Sequence, residues 1–276
     1  MKCFFHSSDL DGQCSGAIIK MAYPDCELIG INYGDDFPWD SIKRNDTVIL
    51  VDISLQPFSD MEKLSNMCSL YWIDHHISAI NEYEKSKNFR PADVSLNTEY
   101  AACELTWKYF NKTSIPYYVT LLGQFDIWNH SNPDTLFFQY GLSQYNTNPD
   151  NQILWEKLKL KQFLTEIINE GRHIKKYVDK ENIKYLKNAG FETEFSGYKC
   201  YAVNKLFCGS LIFDSLKNKE DYDIFIIFGY NNFKWSISLY SEKDNIDVSK
   251  LAKKYGGGGH KGASGFQLKE KPVFIK

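Results

Sequence analysis

Leu70-Tyr71-Trp72-Ile73-Asp74-His75-His76 is a short apolar run that passes straight into an acid and two imidazoles. Two other stretches share its form. Cys3-Phe4-Phe5 leads into His6-Ser7-Ser8-Asp9-Leu10-Asp11-Gly12, and Val48-Ile49-Leu50-Val51 leads into Asp52. With residues 28–31 they place four β-forming runs early in the chain, and the segments 15–23 and 59–66 between them read as helices. Strand–helix alternation predicts a parallel sheet with helices on its faces. Unbroken apolar runs suit strands buried on both sides. In such a sheet the carboxyl ends of the strands share one edge, where ligands bind. Three distant segments therefore deliver acids and imidazoles to one place, and the apolar helix expected over 119–125 can bring Asp126 there as a fourth.

The expected constellation is Asp9, Asp11, Asp52 and Asp126, with His75 and His6. Crowded carboxylates repel, and some must protonate unless cations neutralise them. Two divalent ions balance four carboxylates in charge. Oxygen and nitrogen donors without thiolate suit Mn2+ and also admit Mg2+, Co2+ or Zn2+. Two such ions about 3.5–4 Å apart can clamp an in-line displacement at phosphorus, with a water between them, its pKa lowered toward roughly 7, as nucleophile. Singly, an Asp after a strand is more often a turn former or helix cap, and adjacent histidines are more often structural. The coincidence of three such strand ends carries the chemical reading.

The 276 residues suggest a catalytic metal-binding domain over 1–150, a helical connector over 151–190 and a smaller α+β domain over 191–276. Thr98 is expected to cap a helix over 99–110, Pro116 to open a second through 125, and 153–188 to be helical, with Gly190 as its stop. Strands are expected over 192–196, 199–203, 223–230, 233–240 and 265–268, with a turn at Asn231-Asn232 and a helix over 248–255. Between that helix and the last strand lies Gly256-Gly257-Gly258-Gly259-His260-Lys261. Such a run cannot hold a helix cheaply. It can expose successive backbone N–H groups to a phosphate. Gly257, Gly258, Gly259, His260, Lys261 and Ser264 are thus the expected nucleotide or phosphate clamp, and Arg90 a second phosphate ligand.

Composition narrows the partners. The 32 basic and 35 acidic side chains leave a formal charge of −3, so no general electrostatic affinity for nucleic acid or anionic membrane is expected. The seven cysteines are scattered and include no C-x-x-C pair, which argues for reduced thiols in a cytoplasmic protein. Asp9 and Asp11 interrupt any leader-like stretch, and the apolar run 224–228 is too short to span a bilayer.

The order of these motifs resembles the DHH phosphoesterase superfamily. Asp74-His75-His76, with His6–Gly12 upstream and Asp52 between, matches its catalytic pattern, and Gly256–Gly265 is similar to the glycine-rich motif of its DHHA1 substrate domain. The segments 102–107 and 125–128 look familiar from the same proteins. The resemblance implies an active site in the cleft between the two domains. It gives Asp9, with His6, to one metal and Asp11, His75 and Asp126 to the other, with Asp52 bridging. His76 would face the substrate as phosphate ligand or proton donor, and Asp74 would orient an imidazole. It further implies a nucleotide or short-oligonucleotide substrate cleaved to mononucleotides. Cyclic dinucleotide or nucleotide 3′-phosphate hydrolysis and an inactive nucleotide-binding module are the alternatives. His6 and Asp9 stand one residue closer than in many members, a spacing that would draw His6 off the metal. His6→Ala is therefore expected to lower Mn2+-dependent turnover less than Asp52→Ala, and equal, complete loss in two folded variants would contradict that ranking.

Overall fold

The computed structural model describes residues 1–275, in two compact units divided after Lys175. The first unit opens with strand β1 (Lys2–His6), helix α1 (Leu10–Ala22) and strand β2 (Glu27–Ile31). It continues through β3 (Thr47–Val51), α2 (Ser59–Met67), β4 (Ser69–Asp74), α3 (Ile77–Lys85) and β5 (Asp93–Leu96). The five strands form one sheet in the order β2-β1-β3-β4-β5, every neighbouring pair parallel. This is the expected α/β architecture. Its physical cause lies in the period-two alternation of the strands. Phe4, Val48, Leu50, Leu70 and Trp72 are buried on one face with Met61 and Leu64 of α2. Cys3, Phe5, Ile49, Val51 and Ile73 are buried on the other with Ile19 of α1. Both faces are covered, so no polar alternation is needed.

The helical part follows as α4 (Ala102–Phe110), α5 (Tyr117–Asp126), α6 (Pro133–Leu142), α7 (Gln152–Lys157) and α8 (Lys161–Ala189), the last shared between the units. Tyr118, Phe138, Leu142, Trp155 and Ile167 form its core against Ile18 of α1. Helix α4 starts at Ala102, three residues later than the Thr98 cap would place it. The Asn97 side chain accepts the Glu99 N–H at 2.7 Å and turns the chain there, so the helix begins beyond that turn. Helices α6 and α8 meet backbone to backbone. A Cβ on Gly171 would lie 1.6 Å from the Phe137 carbonyl oxygen, and one on Gly141 would lie 2.0 Å from that of Ile167.

The second unit is α+β. Strands β6 (Gly190–Phe195), β7 (Tyr198–Asn204), β8 (Ile224–Tyr230), β9 (Trp235–Tyr240), β10 (Gly258–Gly259) and β11 (Ala263–Leu268) and helix α9 (Val248–Lys254) make it up, with short 3-10 turns at Ser210–Ser215 and Lys219–Asp221. The sheet order is β10-β11-β9-β8-β7-β6, with only β7 and β8 parallel. Asn231-Asn232 do turn the β8–β9 hairpin: Asn232 takes a φ of 71° and the Asn231 side chain accepts the Lys234 N–H at 3.0 Å. All seven cysteines are free thiols. Among the described residues, no helix is long and apolar enough to cross a membrane.

Gly171→Ala is expected to destabilise the chain by roughly 1–3 kcal/mol, because the new methyl must push two backbones apart. Denaturant melting of the full chain checks this, and an unchanged midpoint contradicts the close crossing.

Candidate metal centre at the carboxyl edge of the parallel sheet

The turn from β1 into α1 places the first acids. Asp9 caps α1, its Oδ1 accepting the Gly12 N–H at 2.9 Å. A Cβ at position 12 would lie 2.0 Å from the His6 carbonyl oxygen, so only glycine lets the helix start so close to the strand end. Asp11, on the first turn of α1, reaches across to α4. Its two oxygens accept the Ala102 and Cys103 N–H groups at 2.8 and 2.7 Å, which makes a buried side chain from far upstream the cap of that helix.

Asp52 leaves β3 with a left-handed φ of 60°, held by its own N–H bond to the Ile73 carbonyl at 2.9 Å. An Asp tolerates this region better than most residues, but it is sparsely populated and its cost is borne by the surrounding pairing. The conformation turns the side chain into the cluster. Oδ1 faces His75 Nε2 at 3.3 Å and Oδ2 faces His6 Nδ1 at 3.6 Å. Asp126, the last residue of α5, brings Oδ2 to 3.2 Å from His75 Nε2, which also lies 3.6 Å from Asp11 Oδ2. His6 Nδ1 lies 2.7 Å from Asp9 Oδ2 without the direction of a hydrogen bond. The short His6–Asp9 spacing therefore does not carry His6 away from the acids.

Three overlapping groups result. His6, Asp9 and Asp52 form one, Asp11, His75 and Asp126 a second, and Asp52 and His75 recur with Asp74 and His76 in a third; in each the ligand atoms lie within 4.8 Å of one another. Asp52 sits among them with both oxygens buried and neither hydrogen-bonded. A buried, unpartnered carboxylate is costly unless something compensates it. Burial pushes Asp52 up to about 8 and Asp11 well above its ordinary value, and burial likewise raises Asp126. Contacts with Asp52 and then Asp9 raise His6 to about 10. Burial pushes Asp9 up as well, but the His6 contact and the Gly12 N–H more than offset it and leave it below its ordinary value. The cluster therefore holds protons at neutral pH where a cation would displace them. This donor set, all oxygen and imidazole nitrogen, fits divalent cations.

Asp74 and His76 have a different role. Asp74 Oδ1 takes the backbone N–H groups of His75 and His76 at 2.7 and 3.1 Å and the His76 Nδ1 at 2.6 Å. Its Oδ2 accepts the Trp72 indole N–H at 3.2 Å. Asp74 belongs to the third ligand group, but its oxygens already accept these four contacts, so its main part is to fix His76. Burial lowers the His76 pKa, but Asp74 outweighs it and lifts the ring to about 9.

The remaining expectations fare differently. Arg90 lies ahead of β5, where Ala92 N bonds Leu70 O at the start of β4, and its guanidinium donates to the Phe89 carbonyl at 2.9 Å. That is the amino edge of the sheet, opposite the acids, because the strands are parallel. In the second unit the glycine run is not an open cradle of amides. Gly256, Gly257 and His260 spend their N–H groups on Lys253, Ala252 and Ala263 carbonyls, and Gly258–Gly259 pair as β10 with β11. Gly257 is glycine because a Cβ would lie 2.1 Å from the Gly265 carbonyl oxygen. The run nonetheless borders a polar groove of about 560 Å³ shared with Lys234, Ser236, Ser238 and Gln267. Ser264 Oγ is buried without a partner, while His260 and Lys261 are exposed. Tyr33 was not anticipated. It follows β2 at the same carboxyl edge, and its ring lies 5.6 Å from that of His6 and 5.9 Å from that of His76.

Comparison with known proteins adds three findings. Residues 210–275 match the DHHA1 domain family. The chain is 29 % identical over 234 residues, 80 % of its length, to an uncharacterized protein of Acanthamoeba polyphaga mimivirus; the match takes in 53 % of that protein, so the chain spans about half the length of this relative. Two solved structures share the fold. A pGpG-specific phosphodiesterase, PggH, from Vibrio cholerae aligns over 97 % of this chain and 93 % of its own, with a TM-score of 0.57 at 11 % identity. An exopolyphosphatase-related protein from Bacteroides fragilis aligns over 98 % and 87 %, with a TM-score of 0.55 at 14 % identity.

Asp52→Asn keeps the size of the side chain and removes the anionic oxygen that a cation would bind. Mn2+ is expected to raise the melting temperature of the wild type, by about 2.7 kcal/mol of stabilisation at a hundredfold excess over Kd. The variant is expected to lose most of that rise while melting no lower than the wild type without metal. Equal Mn2+ shifts in both proteins would show that Asp52 holds no cation.

Proposed function

We propose that this chain, whose residues 210–275 match the DHHA1 domain family, is a member of the DHH phosphoesterase superfamily and a metal-dependent phosphodiesterase that hydrolyses short oligonucleotides to mononucleotides. The observation that carries the reading is the set of ligand groups meeting around Asp52, whose buried oxygens face imidazoles and accept no hydrogen bond. His6, Asp9 and Asp52 would hold one divalent ion, and Asp11, His75, Asp126 and Asp52 the other, with Mn2+ the cation of first choice. Bound there, the ions supply charge neutralisation and Lewis-acid activation of water and of the phosphoryl group.

The protein's own residues supply the rest. Asp11 is fixed by two α4 amides and Asp9 by its place at the start of α1, so these carboxylates are positioned before any ligand arrives. His76 is oriented at Nδ1 by Asp74 and would act on the substrate as phosphate ligand or as proton donor to the departing oxygen. The groove beside the glycine run, with Lys234 on its wall and Lys261 nearby in sequence, is suited to phosphate or sugar contacts. The phosphodiesterase named among the structural relatives acts on a dinucleotide, and that is the size of substrate favoured here.

The test is product analysis of the full chain on 5′-phosphorylated ribo- and deoxyribonucleotides two to five residues long, with Mn2+, Mg2+ or EDTA. Mononucleotide release that EDTA abolishes and Mn2+ restores is expected. Turnover confined to inorganic polyphosphate would overturn the reading.

A further inference from the structure

Beside the acidic cluster the first unit holds a second cavity, of about 290 Å³, between the segment after β2 and the segment after β3. Tyr33 joins the two: it lines the cavity, is 41 % exposed, and its ring stands edge-on to both His6 and His76. Ile53 and Ser54, which also line it, directly follow Asp52. A ligand whose phosphate reached the cluster would therefore have this cavity next to it.

The lining is specific in character. Tyr33, Phe37 and Trp39 give it aromatic walls, and Asp35, Asp36 and Asp60 give it carboxylates. No Lys, Arg or His lines it. Lys63 Nζ covers the Trp39 ring at 3.6 Å from its centroid, but three carboxylates leave the lining net negative and unfavourable to a second phosphate or a polyphosphate tail. The three carboxylates do not form a metal-ligand set: none belongs to a group of three or more ligand atoms close enough to hold a metal ion. Asp35 is already occupied by the Asn32 N–H and amide groups at 2.8 and 3.3 Å. Asp36 and Asp60 have no side-chain hydrogen bond or ion pair among the described residues. A cavity of this size with aromatic walls and spare, unconverged carboxylate acceptors suits a flat, uncharged ring with N–H donors on its edge. Single bases are recognised in this way, by stacking and by hydrogen bonds to the Watson–Crick edge. Guanine alone among the common bases sets an imino N–H beside an amino group, a donor pair that one carboxylate can accept bidentately.

The geometry points to this cavity as a nucleobase pocket selective for guanine, in which Asp36 and Asp60 accept the base's N–H donors and Tyr33 positions the ring against the phosphate site. The inference rests on the phosphodiesterase reading and sharpens it, from short oligonucleotides in general to those presenting guanosine at the scissile end.

Calorimetric titration of the full chain in Mn2+ with GMP, IMP, AMP and UMP tests it. IMP differs from GMP by the amino group alone. GMP is expected to bind at least tenfold tighter than IMP or UMP, and the double variant Asp36→Asn/Asp60→Asn to bring that ratio below threefold, with the circular dichroism spectrum unchanged. Equal affinities for the four nucleotides, or a double variant that keeps the preference, would overturn it. The two readings fail separately. Selective GMP binding without cleavage of any diester keeps the pocket and removes the phosphodiesterase; cleavage of every dinucleotide alike, with no nucleotide preference in binding, does the reverse.

Discussion

Four carboxylates gather around His6 and His75: Asp11 and Asp52 are buried, while Asp9 and Asp126 are partly exposed. Two like charges 4 Å apart near a protein surface repel by about 4 kcal/mol. The fold offsets only part of this. Asp9 and Asp11 sit at helix N-termini, where roughly half a positive charge is offered by the backbone dipoles. Asp126 has the opposite placement, at the carboxyl end of α5, and Asp52 sits on a strand end with no amide donor to its side chain. The two acids that the helices cannot compensate lie in different ligand groups, and those are the places where a cation has most to gain.

The sheet and the acids were readable because both follow from period and topology. Runs of β-formers that never alternate with polar residues mean two covered faces, and two covered faces mean a parallel sheet with one functional edge. The same rule names Tyr33, since β2 ends at that edge too, yet the residues after Ile31 carry neither imidazole nor cation to draw attention. Asp52 stood out as an acid, but its left-handed backbone did not, because φ is fixed by the pairing of its N–H with Ile73 and not by its neighbours in sequence. Arg90 was drawn toward the acids by its nearness in sequence to Asp74-His75-His76. In space the chain crosses the whole sheet through α3 before reaching it.

The glycine run shows the opposite error. Composition suggests a loop with free amides, whereas Gly257 exists to clear the Gly265 carbonyl and Gly258–Gly259 extend a sheet. Close backbone approach and amide exposure call for the same residue type, so the sequence cannot separate them. What distinguishes them is the partner on the far side, here β11, which lies several residues downstream. The groove beside Lys234 arises from that pairing rather than from flexibility of the run.

Fold and chemistry separate cleanly at the acids. Asn caps helices nearly as well as Asp. A chain with Asn at positions 9 and 11 could still open α1 with a side-chain acceptor, and would bury less charge at position 11. Such a chain would keep the architecture shared with the structural relatives and lose the capacity to gather cations. The likeness of fold therefore says little by itself about hydrolysis. The weight falls on the choice of carboxylate where an amide would have served the scaffold, and on Asp52: its side-chain oxygens accept no hydrogen bond, and its backbone is held in a disfavoured conformation to put them among three imidazoles.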